Sequence, residues 1–287
     1  MTRPDLHMHS TFSDGVLRPE QLVESCVEAG VTVMAVTDHD TFEGSDRLLG
    51  HPLSLPLIPG VELSMEDMRG LHLLGYGTVR APALRQKVKD LASARAERAD
   101  KMLRRLDELG MPIDRELLLQ RCTGTVGRPH IARMMVHHGY CQSMQEAFDR
   151  YLGHGKPAYV ASERLKIRDA IRLLRENGFV PVLAHPAELQ LELPVLEPVV
   201  RGWKDAGLLG LEVYHPSGAA VGYEQLDRMA RRNGLLVTGG SDFHQMNDKH
   251  GRIGSTCDAW LRADEDLAAL TEALDEGHRV CPDDPIS

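Results

Sequence analysis

The stretch DLHMHSTFSDG, residues 5–15, contains two histidines at alternate positions, followed by hydroxyl and carboxyl groups. Side chains at alternate positions of a β-strand point to the same face, so we expect His7 and His9 to lie side by side. Paired imidazoles are typical ligands of a divalent metal ion, which binds an unprotonated ring nitrogen. This spacing predicts a metal site.

Other histidines and carboxylates stand at the ends of short apolar segments. VTVMAVTDHD ends with His39 between two aspartates, LPLIPGVELSM carries Glu62, and LHLLGYG carries His72. The later segments FVPVLAHP, LLGLEVYHP and LLVTGGSDFH carry further metal-capable side chains, namely His185, Glu212, His215, Asp242 and His244. Apolar runs of this length with β-branched residues predict buried strands.

Strands and helices alternate along most of the chain, which predicts a parallel sheet and an α/β fold. The segment RPEQLVESCVEAG, residues 18–30, has the apolar spacing, early proline and terminal glycine of a helix. In α/β barrels the carboxyl ends of the strands share one face, so we expect the metal-capable side chains to converge there. Residues 85–165 are helix-rich and densely charged. We expect them to form an insertion that acts as a lid, while residues 1–84 and 166–287 form the barrel.

Composition excludes several classes of protein. The 287 residues are 42% hydrophobic and 26% charged, and no run of eighteen apolar residues or apolar leader core occurs, so we expect a cytoplasmic protein with no membrane partner. Five scattered cysteines without a CxxC pair argue against a disulfide framework or a thiolate zinc site. The net charge of -9 argues against long nucleic acid held by charge alone, although bound divalent ions would still allow a small anionic substrate.

Six segments resemble, in order, the successive motifs of the PHP (polymerase and histidinol phosphatase) family: DLHMHSTFSDG, VTDHDT, GVELS, LHLLGY, LAHP and GGSDFH. Members of this family are metal-dependent phosphoesterases related to amidohydrolases. The resemblance implies a distorted (β/α)7 barrel with a helical insertion domain. It also implies a cluster of two or three divalent metal ions.

The resemblance further implies which residues bind each ion. The first ion would be held by His7, His9, Glu62 and Asp242. Glu62 would bridge to a second ion held by His72 and His185, and a third ion would be held by Asp14, His39 and His244. Some relatives have histidine in place of Asp14, a difference that would weaken or retune the third site. The mixed oxygen and nitrogen ligands suit Mn²⁺, Fe²⁺ or Zn²⁺, and the share of carboxylates favours Mn²⁺.

Two segments of the insertion, GTVGRPHIAR at 124–133 and AFDRYLGHGKPAYV at 147–160, resemble the stand-alone branch of the family. That branch includes 3′,5′-nucleotide bisphosphate phosphatases and an RNase that trims 5′ ends. The resemblance implies release of the 3′-phosphate from a substrate such as adenosine 3′,5′-bisphosphate. Arg128, His130 and Lys156 would then bind the second phosphate from the insertion.

Further substrate contacts are expected from hydroxyl and aromatic side chains. Ser10, Ser13 and Ser64 stand beside predicted ligands and could bind phosphate oxygens. Phe12, Tyr159 and Phe243 are candidates for stacking on the base. Asp38 and Asp40, which flank His39, are expected to orient histidine ligands rather than to bind metal themselves.

The expected chemistry is attack on phosphorus by a hydroxide formed on the metal ions, which also neutralise charge in the transition state. We assign catalytic roles to His215, Asp242 and His244. The proton needed by the leaving oxygen could come from His215 or from another unligated histidine. A histidine before a proline, as at His215, could instead only shape a loop.

Other functions stay open at this stage. A 5′-to-3′ exonuclease on short RNA would be favoured by an open channel past Arg128, and a mononucleotide phosphatase by a closed pocket. A histidinol-phosphate phosphatase is opposed by the GRPH segment of the insertion. A non-catalytic metal-binding module would be expected to have lost a metal ligand. This alternative is opposed because every expected ligand position carries a metal-capable residue. An amidohydrolase acting on a C–N bond is opposed by the candidate phosphate-binding residues, and no obligate protein partner is indicated.

Overall fold

The structure is a computed structural model that describes residues 2–65, 67–68, 70–78, 80–121, 126–161, 165–246 and 251–280. The chain divides into two compact units. Unit 1 comprises Met1–Val88 and Arg164–Ser287, and unit 2 comprises Lys89–Glu163. The prediction that the insertion acts as a lid stays a prediction.

Unit 1 is built on a seven-stranded sheet whose strands follow one another in sequence order. The strands are β1 (Pro4–Asp5), β2 (Val33–Val36), β3 (Leu57–Ser64), β4 (His72–Tyr76), β5 (Val180–Leu183), β6 (Gly210–Tyr214) and β7 (Leu236–Gly239). The two edges approach each other, because Leu6 N donates to Gly239 O at 3.1 Å and His9 N donates to Phe243 O at 2.9 Å. This nearly closed sheet confirms the predicted α/β barrel.

One strand departs from the expected parallel arrangement. β4 runs antiparallel to both β3 and β5, whereas the other neighbouring strands are parallel. The connection between Ser64 and His72 is too short for the crossover that a parallel pair requires. Because β4 is reversed, its first residue, His72, pairs with Ser64 at the carboxyl end of β3. His72 therefore lies at the same end of the barrel as the carboxyl ends of the parallel strands.

Helices surround the sheet of unit 1. They are α1 (Pro19–Glu28), α2 (Glu43–Leu48), α7 (Ile167–Glu176), α8 (Leu193–Lys204), α9 (Gly218–Val221), α10 (Tyr223–Arg232) and α11 (Ala263–Val280), with a 3₁₀ turn at Pro186–Leu189. α1 confirms the helix expected in residues 18–30, in which Leu22, Val23 and Cys26 are buried whereas Val27 is half exposed. In the part of the chain that the structure describes, every helix is too short or too polar to cross a lipid bilayer.

Unit 2 is helical and has its own apolar core. α3 (Pro82–Glu108) enters it from unit 1, and α4 (Arg115–Gln120), α5 (Arg128–His137), α6 (Met144–Ala147) and a π-helical turn at Phe148–Leu152 follow. The fully buried residues at its centre include Leu106, Ile131, Met135 and Leu152. This separate core allows unit 2 to present polar side chains without relying on the barrel for its own packing.

Candidate metal centre

The nine residues predicted to bind metal come together at one end of the barrel in unit 1. The main chain after β1, β2, β5 and β7 carries most of them, β3 contributes one, and the reversed β4 contributes its first residue. The set comprises His7, His9, Asp14, His39, Glu62, His72, His185, Asp242 and His244. Strand ends therefore position side chains that are far apart in sequence.

Glu62 lies at the centre of this cluster and is fully buried. Its Oε1 atom lies 2.9 Å from His72 Nδ1 and 3.0 Å from His185 Nε2. Its Oε2 atom lies 2.9 Å from His39 Nδ1 and 3.3 Å from His9 Nε2. Since the two oxygens face different histidines, this carboxylate is placed to bridge two cations.

The most buried group of ligand atoms consists of His7, His9, Glu62 and Asp242, which could hold one ion together. Asp242 Oδ1 lies 3.3 Å from His7 Nε2 and 3.1 Å from His9 Nε2. Among the described residues, His7 Nε2, His9 Nε2 and Glu62 Oε2 find no hydrogen-bond partner although they are buried. Buried polar atoms that converge without hydrogen bonds are costly, and a shared cation removes that cost. The donor set therefore fits a metal ion.

A second group, formed by His9, Asp14, His39 and His244, could also hold an ion. Asp14 Oδ1 lies 3.2 Å from His244 Nε2, and Asp14 Oδ2 lies 3.9 Å from His39 Nε2. The Asp14 side chain is one-third exposed, so this group lies nearer to solvent than the first. His39, Glu62 and His72 form a third possible group.

Burying carboxylates and imidazoles together shifts their pKa values. Burial opposes protonation of His9, but Asp242 and Glu62 outweigh it and raise the pKa of His9 to about 10. Burial is outweighed in the same way at His185, where Glu62 raises the pKa to about 9. Burial also opposes ionisation of Glu62, yet the surrounding histidines hold the pKa of this carboxyl well below its usual range. In the absence of metal the cluster is therefore a set of ionised carboxylates neutralised by protonated histidines.

Two histidines shift in the opposite direction. Burial, together with the neighbouring charge of His9, lowers the pKa of His244. Burial likewise lowers the pKa of His72, where the attraction of Glu62 does not compensate fully. Both rings are therefore neutral near pH 7 and keep a lone pair for a cation.

Asp38 positions the loop that carries the ligands after β1. Its carboxylate accepts hydrogen bonds from Ser10 N at 2.7 Å and from Ser13 Oγ at 2.6 Å. Ser13 Oγ lies 3.3 Å from His9 Nδ1, so Asp38 acts on His9 through the serine hydroxyl. The expectation that Asp38 orients a histidine ligand is compatible with this indirect contact and stays a prediction.

Asp40 and the serines form hydrogen bonds within the protein. Asp40 accepts hydrogen bonds from Ser64 N at 3.0 Å and from Ser64 Oγ at 3.3 Å, so it holds the end of β3. The hydroxyl hydrogens of Ser10 and Ser13 are directed at Asp38. A phosphate contact by any of these three hydroxyls would require a bond inside the protein to break.

His215 is buried behind Asp242. Its Nδ1 atom accepts a hydrogen bond from Ser217 N at 3.1 Å, so the ring hydrogen of the neutral form lies on Nε2. That hydrogen is directed at Asp242 Oδ2 at 3.3 Å. His215 thus holds the oxygen of Asp242 that does not face His7 and His9. In this arrangement it orients a ligand, and its expected role as proton donor stays a prediction.

In unit 2, Arg128 is the first residue of α5, and its guanidinium carbon lies 5.8 Å from the Phe148 ring centre and 5.9 Å from the Tyr159 ring centre. His130 Nδ1 accepts a hydrogen bond from Gly127 N at 3.0 Å, so this nitrogen stabilises the start of the helix. Lys156 is exposed. The first two residues of the motif at 124–133 lie outside the described residues.

Two aromatic candidates for base stacking have different surroundings. Phe243 is 1% exposed and packs in the core beside α1, so its assignment as a stacking residue is wrong. Tyr159 is partly exposed, and its ring lies 5.1 Å from that of His154 and near Arg98 and Arg128. Only Tyr159 of these two can offer a face to a ligand.

Glu212, one of the metal-capable side chains expected to converge here, belongs to none of the predicted ligand sets but contacts the cluster. It lies within β6, is fully buried, and its Oε1 atom is 3.0 Å from His7 Nδ1. Burial opposes its ionisation, but His7, His215 and His185 lower the pKa of this carboxyl. In the sequence, a carboxylate inside an apolar strand segment indicates such a contact, because a buried carboxylate requires a buried partner.

Comparison with known proteins agrees with this description. Residues 5–157 match the PHP domain family. The 5′-3′ exoribonuclease Rnm of Salmonella typhimurium is 34% identical over 248 residues, covering 84% of this chain and 85% of that protein. The 3′,5′-nucleoside bisphosphate phosphatase of Chromobacterium violaceum is 30% identical over 264 residues, covering 90% of this chain and 93% of that protein.

A solved structure supports the same assignment. A protein of Bifidobacterium adolescentis, described as a metal-dependent phosphoesterase, superposes with a TM-score of 0.76 at 28% identity. The superposition covers 95% of this chain and 96% of that one, and therefore includes the insertion as well as the barrel. Family match, relatives and fold agree with the motifs that the sequence presents in order, and the chain belongs to the PHP family of phosphoesterases.

Proposed function

We propose that this protein is a metal-dependent phosphatase that hydrolyses the 3′-phosphate of nucleoside 3′,5′-bisphosphates, for example adenosine 3′,5′-bisphosphate to AMP and phosphate. As a PHP-family protein it is a hydrolase of phosphate esters. The observation that carries the proposal is the convergence of buried, unbonded ligand atoms on Glu62 Oε2. A relative with the proposed activity is 30% identical over nearly the whole chain.

Within this proposal, each ligand set has a distinct place. One ion would be held by His7, His9, Glu62 and Asp242, a second by Glu62, His72 and His185, and a third by Asp14, His39 and His244. When bound, these ions would activate a water molecule for attack on phosphorus and stabilise the charge that develops on the phosphate oxygens. The carboxylate share of the ligands makes Mn²⁺ the preferred ion, with Fe²⁺ and Zn²⁺ as the alternatives.

Asp38, Ser13 and His215 orient this centre. Asp38, acting through Ser13, keeps the hydrogen of His9 on Nδ1 and leaves its Nε2 atom for the metal. His215 holds Asp242 from behind. We therefore assign His215 and Ser13 to positioning, while Asp242 and His244 would act as ligands of the ions.

Recognition of the second phosphate is assigned to unit 2. Lysines and arginines outnumber aspartates and glutamates by two within Lys89–Glu163, whereas the whole chain carries a net charge of -9. The guanidinium of Arg128 can donate two parallel hydrogen bonds to one phosphate. His130 and Lys156 are the supporting candidates, and Tyr159 is the candidate platform for the base.

A second candidate function is 5′-to-3′ hydrolysis of short RNA. It is favoured by the exoribonuclease relative, which is 34% identical. Arg128 and Tyr159 lie together on unit 2, and a cationic group beside an aromatic ring is a typical binding surface for single-stranded nucleic acid. The same metal centre would serve either substrate.

One parallel assay distinguishes these functions. Release of phosphate from adenosine 3′,5′-bisphosphate and from AMP, and release of mononucleotides from a short 5′-phosphorylated RNA, are measured with Mn²⁺ present. We expect rapid turnover of the bisphosphate with AMP left intact. Mononucleotide release with little bisphosphate turnover would make the protein an exoribonuclease and refute the phosphatase assignment. Glu224→Gln, which alters an exposed carboxylate on α10, is the control for nonspecific charge effects.

A further inference from the structure

Glu212 occupies a position where a carboxylate needs partners. It lies inside β6 with no exposed surface, and its two oxygens have different partners. Oε1 lies 3.0 Å from His7 Nδ1, and Oε2 accepts a hydrogen bond from His185 N at 2.8 Å. One side chain therefore contacts residues from two of the proposed ligand sets.

The contact with His7 determines which ring nitrogen carries the hydrogen. An ionised carboxylate can only accept hydrogen bonds, so His7 Nδ1 must donate to Glu212. In the neutral ring the lone pair is then on Nε2, which lies 3.3 Å from Asp242 Oδ1 and 3.4 Å from Glu62 Oε2. His7 Nε2 is buried and makes no hydrogen bond with any residue that the structure describes. The ring is thus held with its free nitrogen toward the cluster.

The contact with His185 acts on the backbone instead. His185 has φ 27° and ψ 60°, a left-handed conformation that is costly for a residue with a β-carbon. The hydrogen bond from His185 N to Glu212 Oε2 stabilises this conformation. With the backbone so held, His185 Nε2 lies 3.0 Å from Glu62 Oε1.

We propose that Glu212 is a positioning residue shared by two metal sites: it fixes the tautomer of His7 and the backbone of His185, and so prepares both sites together. This proposal rests on the proposed function, because it takes His7 and His185 as metal ligands. His9 has an analogous arrangement, in which Ser13 and Asp38 lie behind Nδ1. Both histidines of the His-x-His pair are therefore held from behind by a carboxylate, one directly and one through a hydroxyl.

Glu212→Gln separates this role from simple packing. Glutamine has nearly the same volume but only one acceptor oxygen, so it cannot accept from both His7 Nδ1 and His185 N. If the NH₂ group of the glutamine points toward His185 N, two donors face each other and that hydrogen bond is lost. If the NH₂ group points toward His7, it donates to Nδ1, and the ring hydrogen of His7 moves to Nε2. We expect Zn²⁺ affinity to fall by about 10–100-fold at the two sites that contain His7 and His185. The site that contains Asp14 and His244 should keep its affinity.

The test uses Zn²⁺ alone as the probe, in competition with a chelator, on the full chain. Wild-type protein, Glu212→Gln and the control Glu224→Gln, which alters an exposed carboxylate on α10, are compared. Long-range ¹H–¹⁵N NMR of the Zn²⁺-loaded proteins reports the His7 tautomer. Wild type and control should show hydrogen on His7 Nδ1. Unchanged Zn²⁺ affinities in Glu212→Gln would overturn the proposal while leaving the metal centre intact.

Two further outcomes keep the inference separate from the proposed function. If wild-type protein binds no Zn²⁺ in the competition, the proposed metal centre itself fails. If Glu212→Gln does not fold, the NMR measurement on wild type decides alone, because a Zn²⁺-loaded His7 with its hydrogen on Nε2 excludes the Glu212 contact as the determinant. A His7 with its hydrogen on Nδ1 supports it.

Discussion

Metal binding by the metal-free protein should release protons, because a metal ion and a proton compete for the same histidine nitrogens. The pKa of His9 is about 10 and that of His185 about 9, since nearby carboxylates outweigh the effect of burial. The pKa of His7 is also well above its usual value, with Glu212, Asp242 and Glu62 outweighing burial. These three rings are protonated in the metal-free protein at pH 7.5.

The number of protons follows from these values. At pH 7.5 a group with a pKa of about 9 is roughly 97% protonated, and one with a pKa of about 10 is almost fully protonated. His72 and His244, whose pKa values are lowered, are neutral and release none. Full loading should therefore release about three protons per chain, and His39, whose pKa is raised, can bring the total toward four.

Calorimetric titration with Zn²⁺ in two buffers of different ionisation enthalpy measures this number. His9→Gln should release about one proton fewer than wild type, whereas His51→Gln, which changes an exposed loop histidine, should release the same number. The apparent association constant should rise with pH, by about tenfold per pH unit for each proton displaced. Release of less than one proton per loaded chain would refute the charge arrangement described for the cluster.

The same shifts predict how pH affects the stability of the metal-free protein. His9 binds a proton with a pKa of about 10 in the folded state and about 6.5 in the unfolded chain, so protonation stabilises the fold. This contribution is fully present below pH 6.5 and is lost as the pH rises through about 10. Chelator-treated protein should therefore unfold at lower urea concentration at pH 9.5 than at pH 7. Metal-loaded protein should lose less stability over that range.

Four substitutions test other parts of the molecule. Glu62→Gln should remove two ions together and lower activity by at least about 10²-fold, and full metal content by mass spectrometry would contradict its bridging role. Arg128→Ala should raise KM for a bisphosphate by about 10–150-fold, because a charge-assisted hydrogen bond is lost. An equal rise in KM for a monophosphate would exclude Arg128 from recognition of the second phosphate. Asp14→Ala should lower occupancy of the third ion alone, which unchanged stoichiometry would disprove. Leu174→Ala in the core of unit 1 should cost about 2–5 kcal/mol in urea unfolding, and a smaller loss would mean the site collapses around the gap.

The convergence of ligands could be predicted because strand ends of an α/β barrel meet on one face. His39 and Asp242 follow β2 and β7 as the apolar segments indicated. His72 was expected at the same site, but the all-parallel sheet would have placed the start of its strand at the opposite end of the barrel. The reversal of β4 brings His72 beside Ser64, and the short connection that forces this reversal is visible in the sequence only once both strand boundaries are known.

The sequence alone does not predict the hydrogen bonds that the ligand histidines make on the side of the ring away from the cluster. Ser13 and Asp38 are separated by 25 residues, and His7 and Glu212 by 205, yet each pair sets the state of a histidine ring in the same cluster. Spacing identifies a strand face, but the tautomer of a ring depends on which distant strand supplies an acceptor. The two histidines of one short motif thus depend on Asp38, which follows β2, and on Glu212, which lies within β6. Substitution of either carboxylate should therefore alter metal binding without changing a ligand.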